Sequence, residues 1–484
     1  MGITLYGYRI VRIFFLYTQA PLDYNSNIIF IYNLKGVTFM NGNDKLSARA
    51  YWAIGMMLFA LFFGAGNLIF PAALGQHSGD NVGWALLGFV LTGVGLPLLG
   101  VAAMGYSSCK DVEELASRVH PIYGLLYTIS LYLSIGPMFA TPRTGTVAYE
   151  IAIKPFAEGL SMNMNMEPIF LALFFGISLW LSISPQKLVN RIGNILTPAL
   201  LLVILLLIIK SFMTPLGGYA VPQPAYGDAP TAVLQGFLDG YNTMDALASV
   251  VFAILVIDFV RLSGATSRAV ITKTVMEVGA IAVGLLGIVY VFIANIGATS
   301  VERFGLFDTG APVLSVSANY LFGEFGQIIL AIIVLLACLS TSIGLITSCG
   351  TYFHKLTPKI SYKLYVVIFS VAAFGLSMFG LKTIISAAIP VLMLLYPLTI
   401  VIILLALLHN VFGGRRCVYA WTMAFTMISA LMTGLETAGI APAALEQLFT
   451  QYIPFQAAGM GWVSFAVLGF VVGLIHKGLV SENK

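Results

Sequence analysis

The sequence predicts an all-α integral membrane protein of about twelve transmembrane helices, arranged as two inverted halves of five followed by a terminal pair. Three observations lead there. Hydrophobic residues make up 59% of the 484 residues and charged residues only 9%, whereas a soluble domain carries roughly 25% charged residues. Twelve apolar runs are long enough to cross a bilayer, with Lys and Arg alternating between the loops that join them. Two of those runs, the first and the sixth, carry polar or glycine-rich interruptions.

A helix needs about 20 apolar residues to span the hydrocarbon core. Candidate runs cover approximately 49–73, 82–106, 121–150, 168–184, 191–212, 232–260, 272–298, 320–349, 363–380, 383–408, 417–434 and 460–478. Turn-rich punctuation separates them, as in Gln76 to Asn81, Pro215 to Pro230 and His409 to Arg416. With the N-terminus placed in the cytoplasm, 16 Lys and Arg residues from Lys45 onward fall on the inner side. Only Lys154, Lys210, Arg303 and Lys382 fall outside. Positive charge marks cytoplasmic loops, so both termini are expected in the cytoplasm of a multi-pass cell-membrane protein.

Residues 1–45 read as an N-terminal cytoplasmic extension, and 1–39 as a possible mis-called start, since Met40 opens an ordinary approach to the first span. The short apolar run Ile13 to Tyr17 cannot span and lacks a small-residue cleavage site. Residues 46–480 form a single transporter domain, with a first repeat over 49–212, a second over 232–408 and extra helices over 417–478.

Several function classes find no support. No basic, aromatic-interleaved patch for nucleic acid is present. Cys109, Cys338, Cys349 and Cys417 make no CxxC pair or disulfide framework. The five histidines fall in or beside loops, against a haem or buried metal centre. No HExxH, GxSxG or P-loop string suggests an enzyme. Nothing resembles the filter of a channel. No cofactor is expected.

The interruptions carry the chemistry. Inside lipid, freed backbone groups survive only where protein or a cavity satisfies them. The first span contains Phe62-Phe63-Gly64-Ala65-Gly66-Asn67, and the sixth contains Asp239-Gly240-Tyr241-Asn242-Thr243-Met244-Asp245. Broken helices at matching positions of two inverted halves mark a midplane binding site in secondary transporters. A repeat of five helices has an odd number of crossings, so its second copy is inverted. The GxG pattern also serves plain helix packing. In the eighth span, Ala337-Cys338-Leu339-Ser340-Thr341-Ser342 groups three hydroxyls. They can bond back to their own helix or, with freed carbonyls, offer uncharged oxygens to sodium. In the third span, Pro137 and Pro142 kink or open the helix beside Arg143. An intramembrane arginine is a functional candidate, its structural alternative being a salt bridge to Glu150 or Asp245. Asp258 with Arg261, and similarly Glu277, read as interfacial ion-pair residues.

The strings FFGAGNLIFP, GPMFATPRTGTVAYE and GYNTMDALA resemble the signature segments of the bacterial branched-chain amino acid:cation symporter family, within the amino acid-polyamine-cation superfamily. The resemblance covers roughly 46–480. It implies sodium-coupled uptake of leucine, isoleucine and valine on the inverted five-plus-five fold of the bacterial leucine transporter. By that likeness, sodium would be ligated by the carbonyls of Ala60, Phe63 and Ala337 and the hydroxyls of Ser340 and Thr341. The substrate carboxylate would meet the amides of Ala65 and Gly66 at a half-helix N-terminus. Its ammonium would face carbonyls around Tyr241, Asn242, Thr243 and Met244. Asn67 matches a second-sodium ligand of some relatives. Arg143, Asp239 and Asp245 are coupling or gating candidates. A proton-coupled or differently selective amino acid transporter of the same fold is the alternative reading, with Asp239 or Asp245 as proton acceptor.

Overall fold

The computed structural model describes residues 40–41, 45–46, 48–107, 109–159, 166–184, 197–214, 216–265 and 267–479. The leader 1–39, Lys187, Arg191 and Lys484 lie outside the described residues. Two strands of two residues each, Met40–Asn41 and Lys45–Leu46, pair antiparallel ahead of the first helix. Among the described residues after them, helices joined by turns and short irregular segments make up the chain. Among the described residues, seven helices are long and apolar enough to cross a membrane, and one bent pair passes the same test jointly.

The first expected span is two helices, α1 (Ala48–Phe62) and α2 (Ala65–Ser78), with an extended Gly64 between them. The second is α3 (Val82–Val90) and α4 (Leu96–Ser107), joined by a π-turn over Leu91–Gly95. After the short α5 (Val112–Ser117), the third span is α6 (Pro121–Leu133) and α7 (Ala140–Ala152) around a π-turn, Ser134–Met138. Gly136 within that turn has non-helical angles (φ −87°, ψ −119°), so the helix opens beside Pro137. Pro142 sits in the first turn of α7, where no helical N–H is lost.

The chain continues through α8 (Lys154–Gly159), α9 (Glu167–Ser182) and α10 (Thr197–Met213). The sixth span is α11 (Ala229–Asp239), a 3₁₀ turn over Gly240–Thr243, and α12 (Asp245–Leu262), bent by 45°. Asp228 caps α11 by accepting from the Thr231 amide, and that bond holds its carboxyl below the usual carboxylate range. Then come α13 (Arg268–Phe304), α14 (Gly310–Phe322), α15 (Glu324–Leu356), α16 (Tyr362–Ser377), α17 (Leu381–Leu407), α18 (Arg416–Thr437), α19 (Ala443–Tyr452) and α20 (Gly461–Leu479).

The expected eighth span over 320–349 is corrected. Gly323 adopts φ 63° and ends α14, so the long helix begins at Glu324. The positive φ is open to glycine at little cost, which lets α14 fold over onto α2. The four cysteines are free thiols. Asp258 and Arg261 form an exposed ion pair at 3.6 Å, and Glu277 pairs with Lys273 at 3.8 Å.

Polarity is distributed as lipid demands. Trp180, Leu173 and Val371 are largely exposed, while Asn67, Gln76, Arg143 and Asp245 are buried. The centre is formed where α2 crosses α13, α7 crosses α15, and α4 lies on α12 and α17. The pair α18 and α20 packs together and joins the rest mainly through α17.

The α2–α13 crossing is tight because small residues let the backbones approach. A Cβ on Gly75 would fall 1.9 Å from the Ala294 carbonyl oxygen, and one on Gly297 2.1 Å from that of Ala72. Gly75→Ala is therefore expected to overpack this crossing at a cost of roughly 1–3 kcal/mol. Gly176 in α9 has nothing within 4 Å of its would-be Cβ, so Gly176→Ala should melt like the parent or slightly above it. Thermal unfolding of both purified variants in one detergent checks this. Two variants melting alike would contradict the close crossing.

Candidate functional site

Two helix breaks face one another at the centre of the bundle. At the first, the Phe63 amide still bonds to the Phe59 carbonyl (2.7 Å), and Gly64 then leaves helical geometry. The Gly64 amide donates to Oδ1 of Asn67 (3.2 Å), which caps α2 from inside its own first turn. The amides of Ala65 and Gly66 follow, at helix positions that have no intrahelical acceptor. Gly64 has no room for a side chain, because a Cβ would lie 2.6 Å from Oγ1 of Thr341. The glycine thus presses the break against α15.

At the second break, Met244 adopts φ 64°, one of two non-glycine residues with positive φ among the described residues. Such a conformation costs of order 1–3 kcal/mol, and here it turns the chain between α11 and α12. Thr243 Oγ1 donates to the Gly240 carbonyl (2.9 Å). The Met244 amide bonds to the Tyr241 carbonyl (3.0 Å), and the Met244 carbonyl accepts from the Ala248 amide (2.9 Å). The ring of Tyr241 stacks on Tyr396 of α17 at 4.1 Å. It does not line the central cavity.

A hydrogen-bond triangle ties the breaks together. Asn67 Nδ2 donates to Asp245 Oδ2 (2.5 Å) and to the Tyr290 hydroxyl (2.5 Å). The Tyr290 hydroxyl donates in turn to the same carboxylate oxygen (2.7 Å). Tyr290 was not singled out by sequence reasoning. The available signal was a lone phenol inside an apolar run, since a buried phenol needs a partner.

Arg143 arrives from α7. Its Nη1 donates to the Asn242 carbonyl (2.8 Å), and its guanidinium lies over the Phe70 ring at 5.0 Å. Neither expected salt bridge forms. Glu150 pairs instead with Lys154 (2.8 Å), one helical turn away, and Asp245 is occupied by Asn67 and Tyr290. Asp239 is also not where the sequence grouping put it. It closes α11, accepts from the Tyr226 hydroxyl and from Gln235 Nε2, and lines a second cavity with His77 and Phe70.

The central cavity is narrow and leaves about 30 Å³ open to the centre of a water-sized sphere. Gly64, Ala65, Gly66 and Asn67 form one wall and Thr243, Met244 and Asp245 another, with Arg143 from the side. Leu61, Phe62, Ile135, Ala140, Ala248, Phe252 and Leu345 add apolar surface, and Thr144 and Thr341 add two hydroxyl-bearing side chains. A few polar groups set in mostly apolar walls are what a small-molecule site offers.

Beside the first break lies an oxygen cluster without charge. Ser340 Oγ donates to the Ala60 carbonyl (3.2 Å) and to the Ala337 carbonyl (2.9 Å), and Thr341 Oγ1 to the Leu61 carbonyl (3.3 Å). Sequence reasoning named Phe63 here and missed Leu61. The Leu61 carbonyl is the one that Thr341 reaches, while Phe63 is fully buried at the end of α1. Ser342 faces elsewhere and meets Ser178 of α9 (3.2 Å).

Comparison with known proteins follows this geometry. The sequence matches the family described as branched-chain amino acid transport protein over residues 47–480. The branched-chain amino acid permease BraB of Bacillus subtilis (strain 168) is 44% identical over 431 residues, covering 89% of this chain and 96% of that protein. The permease BrnQ of the same organism is 42% identical over 433 residues, covering 90% and 98%. Among solved structures, Mhp1 in an inward-facing conformation superposes with TM-score 0.59 at 14% identity, covering 92% of this chain and 94% of that one. MhsT in complex with L-phenylalanine superposes with TM-score 0.51 at 16% identity, covering 88% and 98%. At such identities the likeness shows the fold, which is that of these transporters. The protein is a multi-pass membrane transporter rather than an enzyme, and it belongs to the branched-chain amino acid transport protein family.

Proposed function

We propose that the protein imports leucine, isoleucine and valine across the cytoplasmic membrane as a sodium symporter working by alternating access. The observation that carries this reading is the meeting of two helix breaks at one mostly apolar cavity in a chain of this family. In this reading the twelve helical runs are twelve crossings, with both termini cytoplasmic. Spans one to five and six to ten are inverted halves, residues 46–480 are one transporter domain, and α18 and α20 lie outside the repeat.

The substrate carboxylate lies at the amides of Ala65 and Gly66, where the half-helix end favours negative charge. Its ammonium faces the second break, from Tyr241 to Met244. Sodium sits between the first break and α15, ligated by the hydroxyls of Ser340 and Thr341 and by carbonyls of the Ala60–Phe63 segment and Ala337. The Ala60, Leu61 and Ala337 carbonyls already converge on these hydroxyls as hydrogen-bond partners, so a cation would sit among the oxygens while the hydroxyls keep their protons and turn them away. Asn67, at the other side of Gly64, is the ligand available to a second ion. Coupling to a proton instead would fall to Asp245, which is enclosed with Asn67 and Tyr290.

One sodium moving inward through 100 mV contributes about 2.3 kcal/mol. That sustains roughly 50-fold accumulation of a zwitterion, at ~1.4 kcal/mol per tenfold. Loss of an ion ligand should therefore impair concentration before it impairs binding.

Two outcomes follow. An apolar pocket separates substrates by only ~1–3 kcal/mol per methylene, so leucine, isoleucine and valine should inhibit labelled leucine uptake within about 200-fold of one another. Aspartate and lysine should not inhibit, and equal inhibition by them would refute the selectivity. In proteoliposomes, Ser340→Ala and Thr341→Ala should raise the sodium concentration for half-maximal leucine uptake, whereas Ser342→Ala should leave it near the parent value. A parental sodium titration in both of the first two variants would remove the ion from this cluster.

A further inference from the structure

We infer that Arg143 and Asp245 are the charge-recognition residues for the amino acid itself, Arg143 for its carboxylate and Asp245 for its ammonium. The inference deepens the proposed function and rests on it.

The first support is an incomplete charge balance. Arg143 is 4% exposed and Asp245 2%. The ion pairs among the described residues involve Lys154, Arg261, Lys273, Lys355 and Lys382, and neither Arg143 nor Asp245 joins one. Burying charges is costly even where, as here, Arg143 and Asp245 attract one another at a distance without forming a contact pair. Arg143 offsets this only in part, with one carbonyl and one aromatic face, and its Nε has no hydrogen-bond partner. A guanidinium has five N–H donors in a fork suited to a carboxylate.

The second support is position. Both residues line the central cavity. A Cβ on Gly66 would come within 2.8 Å of Arg143 Nη2, so the absent side chain lets the guanidinium lie against Gly66 in the first turn of α2. A carboxylate there meets backbone amides from one side and Arg143 from the other. Across the cavity, Asn67 and Tyr290 both donate to Oδ2 of Asp245, and Oδ1 takes neither bond.

The third support is that three of the four alternative acceptors, the carbonyls of Tyr241, Asn242 and Met244, each accept one donor already. Asp245 is the full negative charge on that wall. Ile135, Ala248, Phe252 and Leu345 supply an apolar end. One cation, one anion and an apolar remainder match an α-amino acid with a hydrocarbon side chain.

The test is competition against labelled leucine on the purified full chain in detergent, with two leucine analogues as probes. 4-Methylpentanoate lacks the ammonium, and 3-methylbutylamine lacks the carboxylate. Removing one partner of a buried charge pair costs 2–5 kcal/mol, or roughly 30-fold or more. Asp245→Asn should weaken leucine by that factor and erode its preference over 4-methylpentanoate, while its preference over 3-methylbutylamine holds. Arg143→Gln should do the reverse. Asp245→Glu and Arg143→Lys should recover part of each preference. Parental leucine affinity in either neutral variant overturns the assignment, and so does a loss that leaves both preferences unchanged, the mark of a structural role. A loss in Asp245→Asn restored by raised sodium would give that residue to the ion instead. A parent chain that binds no leucine would overturn the proposed function as well.

Discussion

The structure depends on one constraint: polar groups released by two helix breaks must be satisfied inside the membrane. The protein meets it by turning the breaks toward each other. Asn67 stands at the centre of this solution, using one end of its amide to cap α2 and the other to hold Asp245 and Tyr290. Three helical segments, α2, α12 and α13, are thereby joined through one side chain. Arg143 adds a fourth, α7, by reaching the Asn242 carbonyl. An apolar replacement at any of these positions leaves a buried donor or acceptor without a partner, at about 1–3 kcal/mol and more where a charge is involved.

That arrangement also explains why the cavity lies where it does. Gly64 must stay small so that α1 and α2 can press on Thr341. The same closeness brings the Ser340 and Thr341 hydroxyls onto carbonyls of α1. The uncharged oxygen cluster and the central cavity therefore share one wall, the segment from Ala60 to Asn67. In the proposed function this shared backbone is the short physical route between ion and substrate.

Much of this was legible in the sequence. Glycine and polar residues grouped inside apolar runs pointed to interruption, beside the plainer reading of helix packing, and the structure breaks at Gly64, Gly136 and Gly240–Met244. The serine and threonine pair of the eighth span was readable for the same reason. Other features depend on which side chain faces which neighbour, and one chain read alone does not carry that. For Arg143 a salt bridge to Glu150 or Asp245 stood beside a functional role, and Glu150 is taken by Lys154 one turn along the same surface. Asp239 and Asp245 look equivalent in a seven-residue window. The 3₁₀ turn between them sends the first to a separate cavity and the second to the centre. Tyr290 and Leu61 join the site from runs that read as plain lipid-spanning helix. Gly323 hid a chain reversal inside an apolar stretch, so the start of the eighth span was misjudged.

The proposed function requires a sodium gradient alone to drive an amino acid with an apolar side chain through this cavity. Labelled leucine uptake by the purified chain in proteoliposomes, with an inward sodium gradient and equal pH on both sides, measures it directly. The expected result is transient accumulation of leucine above the outside concentration, collapsing when sodium is equal on both sides and the membrane potential is zero. Accumulation that persists without sodium and follows an imposed pH gradient would contradict it.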